Sequence, residues 1–162
     1  MAFTFVRNMI SNHSPVAPPK DVIEFACATE TKKPGMPCKF DTDGKLAKLG
    51  HSDKNGAVIA LEEGTHDPEE SVRVQWIMPG NVYKVPLRKA DGAKLDAGTA
   101  KHVNVEVGSQ LRVSTNGLAA DGATAPNTGH PLTVVKLEYD DENRGDAMAW
   151  VMFAYSVVNS PA

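Results

Sequence analysis

Five histidines, His13, His51, His66, His102 and His130, are the chain's first candidates for proton transfer or metal ligation. Ligands of that kind declare themselves in sequence when two stand a few residues apart, because the spacing sets both side chains on one face. Only His66 has such a neighbour, Glu69, and the pair sits in an acidic loop, Gly64–Glu70, where solvated polar residues are expected anyway. Asp140-Asp141-Glu142-Asn143 gathers carboxylates without the D-x-[DN]-x-[DN]-G order of a calcium loop, and reads as a hairpin tip. Arg144-Gly145-Asp146 spells the tripeptide that integrins recognise, but it closes a charged turn in which Gly is expected. Trp76 and Trp150 are of the type that stacks on sugars or bases; both lie in apolar runs and read as core. Cys27 and Cys38 make neither a disulfide framework nor a metal knuckle, and read as reduced, small apolar residues. There is no G-x-S-x-G, P-loop, dinucleotide fingerprint or Cys-His signature. The expectation is a protein with no catalytic residue, no cofactor and no bound metal, hence not an enzyme.

The elements that would position such residues are strands. Ser71–Met78 sets Val72, Val74, Trp76 and Met78 on one face and Ser71, Arg73, Gln75 and Ile77 on the other, the period of two of a half-buried strand. Pro79-Gly80-Asn81 forces a turn, and Val82–Val85 resumes extended chain. Asp21–Ala28, Cys38–Phe40, Lys45–Leu49 and Ala57–Leu61 read as further strands, with Asp43-Gly44 and Asn55-Gly56 as turns. Lys101–Val107 alternates with Val103, Val105 and Val107 inward, and Gln110–Ser114 alternates again. Asn116 to Thr128 reads as a long loop, and Leu132–Tyr139 as a strand. Ala147–Val158 is nearly continuous apolar strand, to be buried on both faces or covered on one by another subunit. Thirteen Gly and eleven Pro spread along 162 residues suit many short strands in one domain.

A formal charge of −3 leaves no electrostatic footprint for nucleic acid or an anionic lipid surface. No run approaches the length of a membrane span. The first residues lack a basic segment followed by a long apolar one, so no signal peptide is read. Nucleic acid and membrane are therefore not expected partners. Residues 1–19 differ from the rest: Phe3, Phe5, Val6, Met9 and Ile10 run into Pro15-Val16-Ala17-Pro18-Pro19, which favours extended, polyproline-like chain. These apolar residues either form a first strand tucked into the domain or anchor an arm on a partner. The division adopted is an arm over 1–19 and a β-rich domain over 20–162, with Phe3, Phe5, Val6, Met9 and Ile10 as the partner-binding residues. Deleting residues 1–14 should then leave a folded domain.

In overall plan the chain resembles the head decoration, or capsid cement, proteins of tailed bacteriophages. The likeness is carried by Asp21-Val22-Ile23-Glu24-Phe25, the turns Pro34-Gly35-Met36-Pro37 and Asp43-Gly44, and the strand Gly56-Ala57-Val58-Ile59-Ala60-Leu61. Ala97-Gly98-Thr99, Leu111-Arg112-Val113-Ser114-Thr115-Asn116-Gly117 and Trp150-Val151-Met152-Phe153 complete it. The resemblance implies a compact all-β domain, a β-barrel or β-tulip-like (or jelly-roll-like) fold with an extended N-terminal arm. It implies a homotrimer on the outer surface of an expanded phage head, made in the host bacterial cytoplasm and located on the virion. Its partner would be the major capsid protein, whose subunits it bridges against internal DNA pressure. The rival reading is a carbohydrate- or receptor-binding β module of a phage or bacterial surface, with the Asp140–Asp146 loop as its site. A cupin- or dUTPase-like enzyme would need clustered His and Glu or an Asp-bearing active loop, and neither is read.

Overall fold

The computed structural model describes residues 2–9, 23–95, 105–138 and 147–154. The strands are β1 (Thr4–Asn8), β2 (Ile23–Ala26), β3 (Pro37–Phe40), β4 (Leu46–Lys48), β5 (Val58–Ala60) and β6 (Ser71–Trp76). They continue as β7 (Asn81–Arg88), β8 (Gln110–Leu111), β9 (Ala120–Asp121), β10 (Leu132–Glu138) and β11 (Met148–Phe153). No helix occurs among the described residues, so the all-β expectation holds. Six strands form one sheet, in the order β1-β7-β11-β10-β8 with β9 beside β7, and five form another, in the order β2-β6-β5-β3-β4. Every pairing is antiparallel except the short β7–β9 pair.

The barrel part of the expectation is corrected: neither sheet closes. The five-stranded sheet comes nearest, because Cys27, just past edge strand β2, bridges Leu46 of the opposite edge strand β4, and the Ala28 N–H donates to the Leu46 carbonyl at 2.8 Å. That single bridge curls the sheet around its own small core, which includes Cys27, Cys38, Leu46, Val58, Val72 and Val74. A second core lies beneath the six-stranded sheet, with Tyr83, Val85, Leu87, Val134 and Val151 pointing inward from β7, β10 and β11. Ile59, from the other face of the curled sheet, joins this second core and packs the sheets together.

The alternation of Ser71–Met78 holds as far as Trp76 and then inverts. Ile77, expected to face out, is 1% exposed, and Met78, expected to face in, is 52% exposed. The strand ends at Trp76; the Ile77 N–H donates to the Ala57 carbonyl at 3.0 Å, and its side chain crosses into the second core. A turn follows, with the Asn81 N–H donating to the Met78 carbonyl at 3.0 Å and Gly80 at φ 83°.

Residues 2–9 depart from an arm that ends at residue 19. β1 pairs with β7 over Thr4–Lys84 to Asn8–Asn81, with a bulge between Phe5 and Arg7. The Phe3 N–H donates to the Gly35 carbonyl at 3.1 Å, and Ala2 and Phe3 are buried. Gly35 permits this close approach: at φ +80°, a Cβ there would lie 3.0 Å from the Phe3 carbonyl oxygen. The physical reason is apolar area, since an aromatic this close to an uncovered β7 edge gains more by closing the domain's own core than by waiting in solvent. Two further readings change. Val107 is exposed rather than inward, and the stretch read as a loop from Asn116 contains β9. Residues 101–104, Tyr139 and Tyr155–Val158 lie outside the described residues.

Candidate functional site

The five residues expected to bind a partner separate in the structure. Phe3 is 3% exposed, with its ring 5.1 Å from that of Phe153, and Phe5 is half-buried with its ring 5.9 Å from that of Tyr83. Val6 is half-buried at the bulge of β1, Met9 is 48% exposed, and Ile10 lies outside the described residues. Phe3 and Phe5 are thus used within the domain, and of the described set only Met9 stands well out.

The surface that the described residues leave open lies next to Met9, on the outer face of the six-stranded sheet. On β11, Ala149, Val151 and Phe153 point inward and are buried, while Met148, Trp150 and Met152 alternate with them and are half-buried. Register places Trp150 between Lys136 of β10 and Lys84 of β7. The Lys136 ammonium sits 4.4 Å from the Trp150 ring centroid, a cation–π contact. Lys84 donates to Glu138 at 2.7 Å. That hydrogen bond first, then Lys84's charge with lesser help from Lys136 and the Trp150 N–H, holds the Glu138 carboxyl below its usual range. Even so, the Trp150 Nε1 is enclosed and makes no hydrogen bond of normal geometry among the described residues. Arg7, Met9, Val82, Val135, Lys136 and Trp150 line a groove of about 360 Å³ here.

Charge sets this face apart. The four longer strands of the sheet, β1, β7, β10 and β11, carry Arg7, Lys84, Arg88 and Lys136 and a single acid, Glu138. The whole chain is formally −3. An apolar, cationic sheet face on an acidic protein complements an acidic partner surface.

A second recess, of about 450 Å³, opens where the free edge of β7 is interrupted. β1 pairs with residues 81–84 of β7, and β9 with Leu87 and Arg88. Pro86 lies in the gap, where its missing N–H deprives no neighbouring strand of a donor, which is how a proline is accommodated in so central a strand. Pro34, Pro86, Leu118 and Ala119 give the recess an apolar floor; Lys33, Arg88 and Asn116 are its polar lining.

A polar cluster that sequence spacing missed joins the β4–β5 loop to the segments around β8, β9 and β10. His51 Nε2 lies 2.8 Å from Asp121 Oδ2, and Arg112 donates to His130 Nε2 at 2.9 Å. The Arg112 guanidinium also lies 3.3 Å from His51 Nδ1, and His130 Nδ1 lies 3.3 Å from the Gln110 carbonyl. Arginine can only donate, so the bonding pattern makes both imidazoles neutral: His51 donates from Nε2 to Asp121, and His130 from Nδ1 to Gln110. Burial alone would raise the Asp121 carboxyl, but hydrogen bonds from Thr124, His51 and Ala123 outweigh it and hold it below its usual range. Burial, then the Arg112 charge, hold the His130 imidazole below its ordinary value. All four imidazole nitrogens are engaged within the cluster, so it cross-links loops and presents no free base to a substrate. Its hydrogen-bonded side-chain pairs are 18 to 70 residues apart, beyond the reach of any local spacing rule.

The remaining candidates carry little chemistry. His66 is exposed in its acidic loop. Cys27 and Cys38 are free and buried, and burial pushes the Cys38 thiol up to about 12. Trp76 belongs to the curled sheet, in an aromatic trio with Phe25 and Phe40. Among the described residues no three of His, Cys, Asp and Glu are placed to hold a metal ion, and no helix is long and apolar enough to cross a membrane. His13, His102 and Asp140–Asp146 lie outside the described residues. No protein-family model, curated protein or solved structure matches the chain.

Proposed function

We propose that this protein is a structural decoration, or cement, protein of a tailed-phage capsid. It binds the outer surface of the expanded head and bridges major capsid protein subunits there, as a trimer and without catalysis. The observation that carries the reading is the outer face of the six-stranded sheet, which the described residues leave open and where Trp150 and Met9 stand among Arg7, Lys84 and Lys136 with a single acid, Glu138. Such a face suits half of a protein interface: an aromatic anchor at its centre, and charges around it. This reading puts the contact surface on the sheet face, with Met9 at its rim, because Phe3 and Phe5 pack within the domain. The cementing logic needs no chemistry, because modest identical contacts repeated over a closed shell sum to strong collective stabilisation.

The test is co-sedimentation of the purified protein with expanded, undecorated phage-type shells. Saturable binding in a symmetric stoichiometry, with shells that then withstand more heat, is the expected result. Failure to bind any such shell overturns the capsid reading and turns attention to a surface receptor.

A further inference from the structure

We propose that the recess at the β7 edge is a carboxylate-binding subsite, which seats an acidic side chain of a partner polypeptide with a neighbouring apolar residue on its floor. Three observations carry this. First, Lys33 and Arg88 both line the recess, and neither has an ion-pair partner among the described residues, whereas Lys39, Lys45, Lys84 and Arg73 are all paired. Two unmatched cations beside one cavity attract an anion, and a guanidinium offers a carboxylate paired donors.

Second, the lining is built rather than incidental. Asn116 Oδ1 is occupied, accepting from Ser114 Oγ at 2.6 Å and from the Leu118 N–H at 3.0 Å, which fixes the amide and leaves Nδ2 as its donor group. Gly92, at φ +90°, lies against that amide so closely that a Cβ there would sit 2.0 Å from Asn116 Nδ2. The wall therefore needs glycine both for its backbone and for its space.

Third, the floor is apolar, with Pro34, Pro86, Leu118 and Ala119, so a bare inorganic anion would leave it unused. A carboxylate on an aliphatic stem uses both parts. The recess also shares a strand with the Trp150 groove: Val82 lines one and Pro86 the other, four residues along β7 and on the same face, or roughly 13 Å. A polypeptide laid across the sheet would reach both.

The choice of a polypeptide as ligand rests on the reading of this sheet face as a docking surface; the carboxylate chemistry does not. The experiment therefore uses the isolated full chain and leaves the shells aside. Backbone amide shifts are followed by NMR during titration with N-acetyl-Leu-Glu-amide, with N-acetyl-Leu-Gln-amide and inorganic phosphate as comparison probes. The expected result is saturable movement of the Gly92, Leu118 and Ala119 amides with the Glu peptide, at a Kd of about 1 mM, and binding about tenfold weaker for the Gln peptide. The Lys33→Gln plus Arg88→Gln variant should lose the response while the rest of its spectrum is unchanged, since neither side chain forms an ion pair among the described residues. Equal response to the Gln peptide reduces the recess to an apolar dent and overturns the proposal, as does equal response to phosphate or none to the Glu peptide. Shell binding without peptide binding would sink this subsite alone, and peptide binding without shell binding would sink the capsid reading alone.

Discussion

The two sheets dispose of their apolar surface in opposite ways. The five-stranded sheet turns inward: the Cys27–Leu46 bridge curls it, and Phe25, Phe40 and Trp76 stack over its own core with ring centroids 4.7 to 6.2 Å apart. The six-stranded sheet buries one face, and the described residues leave the other, with Trp150, Met152 and four cations, only partly covered. Each sheet has one tryptophan, and the pair states the difference. Trp76 is surrounded by aromatics of its own sheet, and Trp150 has a lysine over its ring and, among the described residues, no hydrogen bond of normal geometry for its N–H. A sheet that satisfies itself is scaffold; one that does not is where a partner is to be sought.

The comparison breaks most visibly at its N-terminal seam. If β1 belongs to the six-stranded sheet, Phe3→Ala should cost about 3–4 kcal/mol in urea denaturation, the usual size for removing a buried ring. An arm residue would cost almost nothing. For the same reason, deleting residues 1–14 should greatly reduce the β signal in far-UV circular dichroism, instead of leaving a sound domain.

Next in size is a test of the self-contained sheet. Lys32 is fully buried, and its Nζ donates to the carbonyls of Ala28 and Glu30 at 2.7 and 2.6 Å, holding together the turn after the Cys27 bridge. Lys32→Met keeps the length of the stem but leaves both carbonyls without that donor. The expected loss is about 2 kcal/mol, read from the thermal midpoint, with shell binding unaffected when measured well below that midpoint.

Trp150→Ala sharpens the contrast from the other side. Its outward face is only half-buried, so stability should fall by about 1 kcal/mol while partner binding is lost. Phe25→Ala, in the aromatic trio, should do the reverse, weakening the fold and sparing the contact.

The smallest effect belongs to the cluster that ties loops of the two sheets together. The folded protein holds the His130 imidazole below its ordinary 6.5, so below that pH the unfolded chain takes up a proton that the folded chain resists. Stability is complete above about pH 6.5 and declines as the pH falls through and below it; the depressed Asp121 carboxyl adds a second loss below its ordinary 3.8. His130→Gln should flatten the first decline and leave the second, as seen in thermal midpoints measured from pH 8 to pH 3.

Much of the fold was legible because it is written locally. Period-two alternation located β6, a nearly continuous apolar run located the described part of the final strand, and Gly44, Gly80 and Gly117 mark turns that their positive φ angles require. Alternation fails where a strand stops: after Trp76 nothing in Ile77-Met78 says which of two apolar residues turns in, since two cores compete for them. The N-terminus was ambiguous because Phe3 and Phe5 suit an edge strand and a docking arm equally; the free edge of β7 and the passage at Gly35 decide it. The site was the least legible part. Trp150 reads as core in a run of apolar residues, and only the register shows that it points to the open side. The partnership of His51, Arg112, Asp121 and His130 depends on contacts between segments far apart in the chain, which a scan for close ligand spacing passes over.

The most direct test of the account is a paired co-sedimentation with expanded shells. Trp150→Ala plus Lys136→Glu alters the open face of the six-stranded sheet, and Arg73→Glu alters an exposed position on the five-stranded one. The account predicts that the first variant, folded by circular dichroism, stays in the supernatant while the second pellets with the shells like the native chain. If the first still saturates the shells and the second does not, the open face is not the contact surface, and the assignment of roles to the two sheets is wrong.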